Sequence, residues 1–142
     1  MMKKIALFCD GSSLGNPGFG GYCAILRYGQ NERIISGGQK DATNNQMELL
    51  AVIKGLEALK EPCDVTITSD SSYVVKGINE WLSGWVKKNF AKVKNPDLWE
   101  YYLEVSKGHK IKAIWVRGHN GHEENERCDI IAKNEATQLK ES

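Results

Sequence analysis

Five consecutive apolar residues, Ile5-Ala6-Leu7-Phe8-Cys9, stop at Asp10 and give way to the turn-forming Gly11-Ser12-Ser13. An unbroken run of this length reads as a strand covered on both faces, which calls for layers on either side of its sheet. Val65-Thr66-Ile67-Thr68-Ser69 forms another strand, and it too ends on an aspartate, Asp70. Between them, Asn16-Pro17-Gly18 marks a turn, residues 21–28 read as a second strand, and Gly29-Gln30-Asn31 turns the chain into a third over 33–38. Those two strands are expected to form a hairpin.

Thr43 opens a helix. Its hydroxyl can cap the exposed amides, and Gln46 three residues on completes a capping box. Leu49, Val52, Ile53, Leu56 and Leu59 recur at helical spacing until Pro62. A helical stretch from Ser71 runs into a less regular region through Asn95, and Leu98, Tyr101, Tyr102 and Val105 mark a further helix. Residues 111–116 form a last strand before Gly118-His119-Asn120-Gly121, and a closing helix carries Cys128, Ile131, Ala132 and Leu139. A hairpin start followed by strand–helix alternation predicts an α/β fold, a mixed sheet with helices on both faces. With no internal repeat, low-complexity tract or linker, residues 1–142 are expected to form one domain.

Apolar residues at 41% and charged residues at 26% are ordinary for a soluble globular protein, and the net charge of +1 does not by itself suggest a polyanionic partner. The apolar run after Lys3-Lys4 is too short for a signal peptide, and no segment approaches the ~20 apolar residues needed to cross a bilayer. A cytoplasmic protein without membrane attachment is the expectation. Cys9, Cys23, Cys63 and Cys128 lie far apart and read as buried free thiols. His119, His122 and Cys128 lack a fourth soft ligand, which argues against zinc. His122 reads as a helix-start residue and His109 as a plain turn residue.

Asp10 and Asp70 each occupy the end of an apolar strand. If those strands are parallel neighbours, their ends lie ~4.8 Å apart at the carboxyl edge of the sheet, where open α/β sheets place their sites. Glu48 falls early in the capped helix and Asp129 early in the final one. Any single acid is ordinarily a solvated surface residue; strand-end acids after apolar runs are not. Two carboxylates ~5 Å apart repel by about 3 kcal/mol at an effective dielectric of ~20. Such a cluster needs a shared proton, a cationic side chain or a divalent metal. All-oxygen ligands favour Mg²⁺ or Mn²⁺ over zinc. Two ions ~3.5–4 Å apart would activate a water and stabilise the leaving oxygen of a phosphodiester.

The sequence around these acids goes further. Asp10-Gly11-Ser12, Thr43-Asn44-Asn45-Gln46-Met47-Glu48-Leu49, Ser69-Asp70-Ser71-Ser72-Tyr73-Val74, and Trp115-Val116-Arg117-Gly118-His119-Asn120-Gly121-His122 with Asn125-Glu126-Arg127-Cys128-Asp129 closely resemble bacterial type-1 ribonuclease H, in family order and over nearly the whole chain. The resemblance implies a ribonuclease H-like fold with a five-stranded mixed sheet. It implies an endonuclease that hydrolyses the RNA strand of RNA–DNA hybrids with two Mg²⁺ ions, Mn²⁺ being a possible substitute, and leaves 5′-phosphate and 3′-hydroxyl ends. By motif, Asp10, Glu48, Asp70 and Asp129 match the metal-binding acids. His119 matches a mobile histidine that assists proton transfer or product departure, a role suited to an imidazole between glycines.

No acid occurs between Glu80 and Asp97, whereas Lys87, Lys88, Lys92 and Lys94 are interleaved with Trp81, Trp85, Phe90 and Val93. A basic segment with aromatics suits a nucleic-acid backbone, and it resembles a shortened form of the family's basic protrusion, which grips the DNA strand. Trp81 is expected to pack inward; Trp85 and Phe90 are taken as substrate contacts with the lysines. Asn16, Asn44 and Asn45 match family residues that face the hybrid's minor groove, where an amide can both donate to and accept from a 2′-hydroxyl. Thr43 and Asn95 match a pocket for a DNA phosphate, although Asp41 stands where some relatives carry a basic residue; Lys40 is available to compensate. The competing readings are a catalytically dead hybrid-binding module, against which the intact acids and His119 argue, and another nuclease of the same fold, for whose extra DNA-binding segments the chain has little room. A monomer is expected.

Overall fold

The computed structural model describes residues 2–117 and 122–142. The first strand, β1 (Lys3–Ser13), sits at the centre of a five-stranded sheet and pairs in two directions. On one side it runs antiparallel to β2 (Gly18–Tyr28), which forms the expected hairpin with β3 (Asn31–Ala42). On the other it runs parallel to β4 (Cys63–Ser69), which pairs in parallel with β5 (Lys110–Trp115). The order β3-β2-β1-β4-β5 is the mixed sheet expected from the pattern.

Several boundaries differ from the sequence reading. Asp10 is not the last residue of β1. The β1–β4 ladder ends at the Phe8–Thr68 pair, but the antiparallel ladder with β2 carries β1 on to Ser13. The two parallel strands therefore part just before Asp10 and Asp70. The hairpin strands extend beyond 21–28 and 33–38, because pairing continues through their glycines with a register shift between Gly18 and Gly20.

Helix α1 (Asn44–Glu57) begins with the expected capping box: the Gln46 amide N–H donates to Thr43 Oγ1 at 3.1 Å, and the Thr43 N–H donates to Gln46 Oε1 at 3.0 Å. It ends at Glu57, before Leu59. The region from Ser71 is more regular than the sequence implied, with α2 (Ser72–Lys76), a single π-helical turn over Gly77–Trp81, and α3 (Leu82–Lys87). Helix α4 (Pro96–Ser106) and α5 (Glu123–Glu141) complete the chain. Helix α1 lies against β1 and β2 on one face, burying Leu7, Cys9, Leu49, Val52 and Ile53 in the larger core; α5 covers the other face, where Cys23, Ile25, Cys128 and Ala132 form a second, smaller core.

All four cysteines are free and buried, as expected. His109 is more than a turn residue: its Nδ1 accepts the Cys63 backbone N–H at 3.0 Å and so fixes the start of β4. No helix among the described residues is long and apolar enough to cross a membrane.

Candidate active site

Gly11 explains how two acids from separate elements come to meet. A Cβ on Gly11 would lie 2.3 Å from the Glu48 backbone nitrogen, so only glycine lets the first turn of α1 ride this close over β1. Met47 and Leu49, on either side of Glu48, are fully buried and anchor that turn. Asp70 arrives from the end of β4, where fully buried Ser69 accepts the Ser71 N–H at 3.0 Å and Ser71 in turn caps α2. The Trp115 indole donates to the Asp70 carbonyl at 3.0 Å. One carboxylate oxygen each from Asp10, Glu48 and Asp70 thus lie within 4.8 Å of one another.

For Asp10 and Glu48, the described residues do not balance this charge. Asp10 is 4% exposed, and the Gly11 N–H donates to its Oδ1 at 2.8 Å. Glu48 Oε2 is buried with no hydrogen-bond partner among the described residues. Among those residues no cation pairs with Asp10 or Glu48. Burial therefore dominates, and the Asp10 carboxyl is pushed up from 3.8 to about 7; a proton shared with Glu48 opposes this, and the charge of Asp70 adds to it. Burial and the neighbouring Asp10 likewise raise Glu48 well above the ordinary carboxylate range. Hard oxygen donors, an unpartnered buried carboxylate oxygen and mutual repulsion together fit a divalent cation.

Asp129 stands outside this cluster. On α5 it is half-buried, and its Oδ2 pairs with Lys133 Nζ at 3.0 Å, one turn on. Its charge still reaches Asp10, whose carboxyl it helps to raise. Helix α5 itself is tied to the hairpin: Arg27 bonds Glu124 and Glu32, and Arg127 grips both oxygens of Glu32 at 2.9 and 2.8 Å. The Arg127 and Arg27 guanidiniums hold the Glu32 carboxyl down at about 2. His119 lies outside the described residues.

Asn16, Thr43, Asn44, Asn45, Lys94 and Asn95 line one cavity of about 480 Å³, so groove-facing and phosphate-pocket candidates share one surface. The Asn44 N–H donates to Asn16 Oδ1 at 3.2 Å. Asn95, in a left-handed conformation ahead of α4, accepts from Gln46 Nε2 at 3.2 Å and donates to the Tyr73 hydroxyl at 3.1 Å. Thr43 accepts as a helix cap, which leaves its hydroxyl proton to offer an anion. Lys40 and Asp41 are both exposed beyond this cavity.

In the basic segment all four lysines are exposed, but Trp85 and Phe90 are half-buried against the core, where Trp85 meets Trp99 edge to face at 5.2 Å. Trp81, expected inward, is 39% exposed and leans on Trp85 at 5.7 Å. A continuous α-helix would set Trp81 on the face of Val74 and Ile78. The π turn takes in an extra residue and swings it off that face. Gly77 is the local signal: a Cβ there would sit 2.4 Å from the Trp99 ring.

A family profile described as RNase H matches residues 2–137. The chain is 66% identical over 135 residues to a Ribonuclease H of Helicobacter acinonychis, covering 95% of this chain and 94% of that protein. It is 63% identical, with the same coverages, to a Ribonuclease HI of Helicobacter pylori. The crystal structure of LC9-RNase H1, a type 1 RNase H with the type 2 active-site motif, superposes with a TM-score of 0.89 at 26% identity, covering 97% of this chain and 74% of that one. LC11-RNase H1 in complex with RNA/DNA hybrid shares the fold, with a TM-score of 0.69 at 21% identity over 95% of this chain and 98% of that one.

Proposed function

The chain belongs to the ribonuclease H family, in its bacterial type-1 branch, and from that premise we propose that it cleaves the RNA strand of RNA–DNA hybrids internally, using divalent cations held by Asp10, Glu48, Asp70 and Asp129. The observation that carries this reading is the meeting of three carboxylates from three elements within 4.8 Å. Mg²⁺ suits these oxygen ligands, and Mn²⁺ is a substitute. The chemistry that two such ions supply when bound is activation of a water and stabilisation of the leaving oxygen, giving 5′-phosphate and 3′-hydroxyl ends.

The protein's own residues have separable tasks. Asp10 and Glu48 compete for a proton in the free site and give it up when a cation makes their ionised forms favourable. Asp129 adds negative charge from the α5 side. An imidazole ordinarily changes charge between about pH 5 and 8, which suits His119 to relay a proton or help product leave. Asn16, Asn44 and Asn45 read 2′-hydroxyls, Thr43 and Asn95 seat a DNA phosphate, and Lys87, Lys88, Lys92 and Lys94 follow the DNA backbone. Exposed Trp81 joins them as a surface for a sugar or base, with Trp85 against it at 5.7 Å, while Trp85 and Phe90 offer the substrate only the edges that their packing on the core leaves exposed. The protein acts in this reading as a cytoplasmic monomer.

The test is one labelled hybrid incubated with Mg²⁺ or Mn²⁺ beside matched DNA and RNA duplexes, with the product ends identified. Cleavage confined to the hybrid's RNA, blocked by chelator and by Asp10→Asn, is expected. Chelator-resistant cleavage, or equal cleavage of duplex RNA, overturns it.

A further inference from the structure

Asn125 sits in the first turn of α5, yet it is only 8% exposed. An amide buried so deeply must be bonded or it costs stability. Its Nδ2 donates to the Thr68 carbonyl at 3.1 Å, while its Oδ1 is buried without a partner among the described residues. Thr68 faces Phe8 at the last rung of the β1–β4 ladder, where the two strands part. Two residues beyond Phe8 is Asp10, two beyond Thr68 is Asp70, and one helical turn beyond Asn125 is Asp129. A single side chain therefore stands where the backbones leading to three of the four acids converge. The main contacts of α5 among the described residues are with β1, β2 and β3, and this bond ties the helix to β4 as well, the strand that delivers Asp70.

We propose that Asn125 is a positioning residue for the metal site: its amide N–H sets the distance between Asp129 and the Asp10–Asp70 pair, and its oxygen, unpartnered among the described residues, is the acceptor for a water of the loaded site. The proposal rests on the carboxylate-site reading above. Outer groups that orient ligands in this way change metal affinity by about 10–100-fold when lost. A residue that merely filled space would not.

The experiment compares wild type, Asn125→Ala, Asn125→Leu and Asp10→Asn in Mn²⁺ binding by isothermal calorimetry without substrate, and in kcat and KM on a hybrid across a Mg²⁺ titration. Asn125→Leu keeps the branched outline of the side chain but cannot donate to Thr68. The expected result is Mn²⁺ affinity reduced about 10-fold or more in both Asn125 variants, with kcat lowered, KM for the hybrid unchanged, and part of the lost rate recovered at high Mg²⁺. Folded Asn125 variants with wild-type Mn²⁺ affinity overturn the positioning role while leaving the carboxylate site intact. Wild-type behaviour of Asn125→Leu beside a defective Asn125→Ala overturns it in favour of packing. Equal Mn²⁺ binding by wild type and Asp10→Asn overturns the carboxylate site, and this inference with it.

Discussion

Replacing Asp10 with asparagine should make the metal-free protein more stable at alkaline pH and leave it nearly unchanged in acid. The Asp10 carboxyl is raised from 3.8 to about 7 in the folded chain, burial being the main cause. A carboxyl with a higher pKa folded than unfolded binds its proton more tightly in the native state. The stability it contributes is therefore fully present below 3.8 and is lost as pH rises through about 7. At about 1.4 kcal/mol per pKa unit, the full loss is on the order of 4 kcal/mol. Glu48 shares the proton, so part of the strain survives in the variant, and a gain of about 2–4 kcal/mol at pH 8.5 is the expectation. The new amide can also donate toward Glu48 Oε2, which lacks a partner among the described residues.

For 142 residues the unfolding entropy is about 0.3 kcal/mol/K, so a gain of ~3 kcal/mol raises Tm by roughly 10 °C. The assay is urea and thermal unfolding of wild type and Asp10→Asn in EDTA from pH 3.5 to 8.5, repeated with saturating Mg²⁺. The gap should open between pH 4 and 8 and narrow with Mg²⁺, which stabilises only the protein that binds it. A gap of the same size at pH 3.5 and 8.5 refutes the argument, because it would then owe nothing to ionisation. So would the absence of any gap at pH 8.5.

Asp129, whose charge Lys133 partly offsets, is the ligand expected to matter least: Asp129→Asn should lower kcat yet leave measurable turnover, whereas Asp10→Asn, Glu48→Gln and Asp70→Asn should abolish it; equal loss in all four would refute that ranking. Thr43→Ala removes a capping box and should destabilise the fold by about 1 kcal/mol, while raising KM for the hybrid through the lost phosphate contact; unchanged KM would leave Thr43 a cap alone. Neutralising Lys87, Lys88, Lys92 and Lys94 together should flatten the salt dependence of hybrid binding by at most about 3–4 units of log–log slope. An unchanged slope would mean that these lysines do not meet phosphates.

How far the sequence could be read depended on whether a feature is local. The capping box at Thr43 and Gln46 was legible because both partners lie within one turn. The apolar runs of β1 and β4 were legible as strands leading to acids, whereas their parallel pairing entered only as a condition that the β1–β4 ladder meets. Three other features were not. The strands part after Phe8 and Thr68 because β2 goes on pairing with β1 to Ser13, a property of the sheet rather than of either strand. Trp81 faces outward because a π turn changes the helical phase, and an ordinary 3.6-residue wheel misplaces it. Asn125 did leave a trace: with Cys128, Ala132 and Ala136 it is one of the buried residues of α5, so a polar side chain occupies the helix's core-facing phase.

The same contrast explains how a charge cluster survives in a stable fold. Each acid follows a residue with no exposed surface: Cys9 before Asp10, Met47 before Glu48, Ser69 before Asp70 and Cys128 before Asp129. Burying an apolar side chain of Met or Leu size contributes about 1.5–3 kcal/mol, comparable to the ~3 kcal/mol that two close carboxylates cost at an effective dielectric of ~20. Packing of the neighbours, rather than any attraction among the acids, therefore brings Asp10, Glu48 and Asp70 together. Because that packing does not depend on the ionisation of the acids, the repulsion is not relieved by local rearrangement but persists until a proton or a cation arrives. Asp129 differs from Asp10 and Glu48 in having Lys133 one turn away at 3.0 Å, a local partner that can absorb its charge. The acids without such a partner are the ones in which a bound cation relieves the most strain, and on that ground Asp10 and Glu48 carry the larger share of the site's affinity for metal.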